Sequence, residues 1–589
     1  MWAPDAESVR ILTLMPSRDR DGHEPDEHEM EPDGESGWWR APSAVADLDT
    51  HTDTTVALRY GFRIDGGDVR PDPRSARLPD GVHELSALHT VDPDIWTDHQ
   101  WRGRPIAGAV LYELHIGTFT PGGTLDSAIE RLDHLVSLGV DVVEVMPLNA
   151  IGGTHNWGYD GVCWYAVHEP YGGPDAFARF VDACHARGLG VVLDVVYNHL
   201  GPSGNYLPDF GPYLTQGTNS WGSSLNLADA DSDEVRTFII ANALRWFSEF
   251  HVDGLRLDAV HALVDHRAVH LLEQLAISTD ALAVELDRPL SLIAESDLND
   301  PRMIAARSAG GYGLTAQWDD DIHHAIHTAV SGERQGYYAD FGSFAGLAKV
   351  LRGGFFHDGT YSSFRRRHHG RPIPTDTIAA SSLVAYTCNH DQIGNRAVGD
   401  RPGFYLDDGQ LAIKAALVLL SPFTPMLFMG EEWAADSPFQ FFTSHTEPEL
   451  GDAIRNGRRS EFAEHGWDAA DVPDPQDPAT YERSKLDWSE LDEPGHRRIL
   501  EFYKALITLR REHAELSLGE FGSVDVDYDE QAGWFAMHRG DWSVVATLGT
   551  TGAVVPFGLQ PALFWEPTTV DDAGRVVLGG HNVVIGTRT

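Results

Sequence analysis

Between about residue 105 and residue 510, short apolar runs alternate with longer amphipathic ones. Residues 110–116 predict a first strand, and 125–138 place Leu125, Ile129, Leu132, Leu135 and Val136 on one helical face. A second strand over 140–147 follows, then a helix over 176–187 stopped by Gly188, then a third strand over 189–197. Residues 200–231, rich in Gly, Pro, Asn, Tyr and Trp, interrupt the rhythm, and a loop this long in a compact domain is usually functional. Helix resumes over 233–250, followed by a strand into Asp258, a helix to about 287 and a strand into Glu295. Strands over 314–318, 383–389 and 425–429, with helices over 412–420 and 497–513, complete the series. Alternation of this kind implies a parallel sheet. Eight such strands make an α/β chain with a (β/α)8 TIM barrel, whose active site lies at the C-terminal strand ends.

The flanks have a different grammar. Residues 1–95 are short alternating stretches broken by Gly, Pro and Asp, with acidic loops such as 19–36, and predict an immunoglobulin-like β-sandwich. Such a module could bind carbohydrate or brace the barrel, and nothing in its residues chooses between them. Residues 515–589 return to β character, with 534–538 and 543–548 as candidate strands of a C-terminal antiparallel domain. The expected division is therefore 1–95, 96–514 and 515–589.

Composition narrows the partners. Across 589 residues, 44 basic side chains face 89 acidic ones, a net charge of −45 that repels nucleic acid and anionic membrane while leaving a neutral ligand indifferent. Cys163, Cys184 and Cys388 are an odd number without C-x-x-C spacing, so neither a disulfide framework nor a zinc site is expected. No run has the apolar length of a membrane span, and the opening residues lack a secretory pattern, so a cytoplasmic location is expected.

Candidate chemistry sits where the strands end. Four apolar runs close on ionisable groups: 191–199 on Asp194 and His199, 252–261 on Arg256, Asp258 and His261, 292–297 on Glu295 and Asp297, and 385–391 on His390 and Asp391. Arg256 and Asp258 are two apart and share a strand face, where a guanidinium favours an ionised carboxylate. Retaining glycoside cleavage needs such a carboxylate as nucleophile and a second, protonated one to serve the leaving oxygen. Asp258 suits the first role. Glu295, in an apolar run among other acids, suits the second, because burial and like charge both raise its pKa. Asp391 would hold the distorted ring, His199 and His390 would donate to sugar hydroxyls, and Tyr159 would offer an aromatic face.

These four stretches resemble the signature regions of the α-amylase superfamily, glycoside hydrolase family 13: Asp194 to His199, Gly254 to His261, Glu295 to Asp297, and Asn389 to Asp391. The resemblance spans about 105–510 and implies the same roles for Asp258, Glu295 and Asp391, with Arg256, His199 and His390 beside them. Within the superfamily, residues 311–324, 429–433, 439–443 and 455–462 are similar to those of the trehalose-releasing members. That likeness implies a maltooligosyltrehalose substrate, hydrolysis of the α-1,4 bond next to its terminal trehalose, and a functional link to the synthase that makes it. It would bring Trp318, Asp319, Asp320 and Glu432 to the trehalose side, and make Trp221 a stacking platform. In some amylases the position matching Asn198 helps hold calcium. No acid cluster surrounds it here, so no metal or cofactor is expected. A glycogen branching or isoamylase-type debranching enzyme keeps the same strands, and an inactive glucan-binding protein would keep the fold alone.

Overall fold

The computed structural model describes residues 1–14, 25–34, 36–46, 57–219, 222–464 and 471–589. Its centre is a closed parallel barrel of Leu111–Leu114, Val142–Val145, Gly190–Val195, Gly254–Leu257, Ser291–Ala294, Ala316–Trp318, Leu383–Tyr386 and Thr424–Phe428, in chain order around the ring. Every expected strand is present, the eighth shifted by one residue at unchanged length and the others shorter. Where an expected run ended in charged or polar residues, at Asp258, Glu295 and 387–389, those residues leave the ladder at the mouth. Leu111, Val142, Val192, Ile293, Ala316, Val384 and Met426 fill the lower barrel interior, an apolar plug. Above it the inward positions become polar: Glu113, Glu144, Asp194 and Arg256, all buried.

The helix expected over 125–138 is two, Leu125–Ile129 and Leu132–Leu138. Thr124 and Ser127 form a capping box on the first, and the Arg131 N–H bonds three residues back to Ala128, a tightened turn that ends the α-helical ladder. The excursion over 200–231 carries structure of its own, a short helix Leu207–Phe210 and a hairpin of Leu214–Asn219 with Gly222–Leu225. Its polar, Gly-rich residues gave no periodicity from which to read the hairpin.

The described N-terminal residues form a five-stranded antiparallel sheet and a separate two-stranded one. This region docks on the excursion: Trp2 meets Tyr213 edge-on at 5.1 Å, Phe62 meets Phe210 at 6.3 Å, and Arg70 bonds Asp209 at 2.7 Å. At the other end, a five-stranded and a three-stranded antiparallel sheet enclose Trp534, Val545, Val576 and Val584. Arg539 ties this unit to the barrel by donating to the Leu420 carbonyl at 2.9 Å. Among the described residues no helix is long and apolar enough to cross a membrane.

Candidate active site

Strand register sets the spacing of the two central acids. Leu257 pairs with Ala294 on adjacent parallel strands, so Asp258 and Glu295 are the next register neighbours, and strands lie about 4.8 Å apart. Asp258 shares the inward face of Arg256, and Glu295 that of Ile293. After Asp258 the chain turns through Ala259 at φ 38°, a left-handed conformation that costs a β-carbon-bearing residue about 1 kcal/mol. The Ala259 N–H then donates to Glu295 Oε2, so the turn that leaves one acid anchors the other.

Arg256 lies at the centre, fully buried. Its Nη1 donates to Asp194 and to Asp258, each at 2.8 Å, and its Nη2 lies 3.8 Å from Glu295. Its guanidinium also rests 4.2 Å from the Trp318 ring centroid. Asn198 donates to the second Asp258 oxygen at 2.8 Å, and the Tyr159 hydroxyl donates to Asp194 at 2.7 Å. His199 Nε2 lies 2.9 Å from the Tyr159 carbonyl, and its Nδ1 meets Asn198. His390 stacks on the Tyr159 ring at 5.1 Å.

Burial pushes the Glu295 carboxyl up to about 8; Arg256 opposes this, and the charges of Asp258, Asp391 and Asp320 reinforce it. Asp194 is raised by burial to about 6, with Arg256 opposing. Asp391 is also raised, through burial that His390 partly offsets. At 48% side-chain exposure it is the most open of the three central acids, against 13% for Asp258 and 18% for Glu295.

The structure thus gathers Asp258, Glu295, Asp391, Arg256, Asp194, His199, His390 and Tyr159 into one mouth, with His261 at its edge, 3.9 Å from Asp297. Asp320 joins them, accepting from the Tyr386 hydroxyl at 2.5 Å and from Gln392 at 3.3 Å. Three other expectations fail. Asp319 is 1% exposed and spends Oδ1 capping the helix Asp320–Ser331, which ties it to the backbone instead of the cleft. Glu432 is fully buried, accepting from Tyr112 and His134 behind the barrel wall. Trp318 is 3% exposed, a floor under Arg256 rather than a sugar platform. Trp221 lies outside the described residues.

Sequence reasoning missed Tyr337, Phe364 and Arg365, from the long segment between the sixth and seventh strands. Tyr337 and Phe364 are 40% and 53% exposed and meet edge-on at 6.0 Å. Tyr337 lies within the field of Asp320 and Asp391, and Arg365 bonds Asp297 at 2.9 Å. The pair forms an aromatic ledge beside the acids. Among the described residues, no group of three or more His, Cys, Asp or Glu could hold a metal ion.

The alpha-amylase catalytic domain model matches residues 89–221. A malto-oligosyltrehalose trehalohydrolase of Mycobacterium tuberculosis is 60% identical over 544 residues, 91% of this chain and 92% of that one. One from Arthrobacter ramosus is 58% identical, covering 94% and 93%. Among solved structures, a Salmonella typhimurium protein described as an alpha amylase superposes with TM-score 0.85 at 34% identity, covering 100% of this chain and 97% of that one. On that likeness, and with an α-amylase-type barrel around its acids, the chain belongs to the malto-oligosyltrehalose trehalohydrolase family.

Proposed function

We propose that this enzyme hydrolyses the α-1,4-glucosidic bond next to the terminal trehalose of a maltooligosyltrehalose, with retention of configuration. Asp258 is the nucleophile, attacking the anomeric carbon of the glucose next to trehalose. Glu295 protonates the departing trehalose oxygen and then, as a carboxylate, takes a proton from the water that resolves the glycosyl-enzyme. Asp391, with His390, binds the hydroxyls of the ring as positive charge develops on it. Tyr337 and Phe364 present their faces to the leaving disaccharide. The glucan would come from a synthase acting before this enzyme, in the cytoplasm.

The observation that carries the mechanism is the register pair Asp258 and Glu295, next neighbours on adjacent strands about 4.8 Å apart. Their carboxyls both lie at the Arg256 guanidinium, 2.8 and 3.8 Å from its Nη atoms, the side-by-side placement that a retaining pair needs. Their environments also differ in the required sense, since the raised Glu295 carboxyl holds a proton at neutral pH. The trehalohydrolase name carried by the relatives supports this substrate over the branching and debranching alternatives. Chromatography of products from maltotriosyltrehalose tests the reading: free trehalose and an α-configured maltotriose are expected. A transferred or unchanged glucan would overturn it.

A further inference from the structure

The structure has a second acid pair inside the barrel that the mechanism above does not use, Glu113 and Glu144, brought side by side by the register of the first two strands. Glu113 is 1% exposed and lies against His390, itself 2% exposed. One Glu113 oxygen accepts from the His390 backbone N–H at 3.1 Å, and the other meets Nδ1 at 2.5 Å. The two contacts fix both the start of the short helix His390–Gly394 and the ring that it carries. His390 Nε2 points the other way, 3.7 Å from Asp391 Oδ1, too long for a direct hydrogen bond and wide enough for a sugar hydroxyl to bridge.

We propose that Glu113 is a positioning residue for the glycosidase reaction, holding His390 as a charged donor aimed at the ring hydroxyl that Asp391 accepts from. This deepens the reading above and rests on it. The groups facing His390 are Glu113 from the first strand and His115 just after it, Glu144 from the second, Arg256 from the fourth, Asp391 on its own helix, and the rings of Tyr159, Trp157 and Trp318. Burial and Arg256 work against a charged imidazole, and the charges of Glu113 and Asp391 outweigh them, lifting His390 to about 9. Glu144 completes the arrangement. It is buried, its oxygens have no hydrogen-bond partner among the described residues, and burial with the charges of Glu113 and Asp194 raises its carboxyl far above the usual range. Neutral, it adds no second negative charge to compete for His390.

Glu113→Gln tests this, because the amide oxygen can still accept one N–H while the charge is gone. The expected result is a roughly 30- to 100-fold loss of kcat on maltotriosyltrehalose, the scale of losing a charged hydrogen bond. A new basic limb should also appear in kcat near the ordinary imidazole value of about 6.5, ahead of the limb that Glu295 sets. In a His390→Gln background the same change should cost less than threefold. Glu113→Asp, which keeps the charge, should retain the wild-type limb and so separates charge from packing if the glutamine variant folds poorly. An unmoved limb in Glu113→Gln, or an equal loss in both backgrounds, would overturn the role. A wild-type enzyme that cleaves another α-glucan would instead overturn the substrate reading, and the same cycle run on that glucan would still judge Glu113.

Discussion

Replacing Glu295 by Gln should remove activity and stabilise the protein, and the gain should depend on pH. The folded carboxyl is raised from 4.5 to about 8, chiefly by burial. Below pH 4.5 it is protonated in both states and contributes nothing to the pH dependence. Between 4.5 and 8 the unfolded chain releases a proton that the folded chain keeps, so stability falls as pH rises; above about 8 the penalty is constant. A shift of this size corresponds to about 5 kcal/mol at roughly 1.4 kcal/mol per pH unit, of which about 4 kcal/mol is expressed by pH 8. Glutamine cannot ionise, and its amide oxygen can keep the Ala259 N–H bond. Spread over the unfolding entropy of a 589-residue chain, the gain is about 3 °C in Tm at pH 8. The measurement is calorimetric unfolding of both proteins at pH 4.5, 6 and 8, beside kcat. The difference in Tm should widen steadily with pH while kcat falls about 10²- to 10⁴-fold, the contribution of a general acid. An offset in Tm that is the same at all three pH values would refute a raised Glu295, whatever happened to activity.

Other substitutions separate chemistry from support. Asp258→Asn should abolish turnover while leaving glucan binding measurable by calorimetry, since the amide oxygen can still accept from Arg256. Tyr337→Ala and Phe364→Ala should each raise KM about fivefold, from roughly 1 kcal/mol of aromatic contact, with kcat changed less. Glu432→Ala should lower stability by about 2 to 3 kcal/mol, by stranding the Tyr112 hydroxyl and His134, and leave KM unchanged. A raised KM in that variant would return Glu432 to the substrate side.

The barrel and its central acids were legible because they write themselves in short range. An apolar run that ends in an acid marks a strand and the mouth it opens into, which is how Asp258, Glu295 and Asp391 could be found. Glu113 and Glu144 carry the same mark, an acid within a buried run, but lie inside the strand rather than at its end. The ledge was not legible, because Tyr337 and Phe364 are 27 positions apart in an irregular segment and meet only through the tertiary fold. Asp319 and Glu432 misled for a related reason: each follows a barrel strand, where an acid is as readily a cap or a buried partner as a ligand.

The division of labour among the acids follows from a shortage of positive charge. Arg256 and His390 are the cations set against the central acids Asp194, Asp258, Glu295 and Asp391, with Asp320 alongside and Glu113 beneath, while Arg365 is spent on Asp297 at the edge. The guanidinium gives its short contacts to Asp194 and Asp258, and Glu295 receives only the long one at 3.8 Å. Glu113 meets the Nδ1 side of His390, while Nε2 faces Asp391. Glu295 is therefore the acid left in an apolar setting with like charges around it, and it keeps its proton. In the mechanism proposed above, the acid role falls to it by exclusion: moving the guanidinium contact from Asp258 to Glu295 would exchange the two proposed functions with no change in the residues themselves.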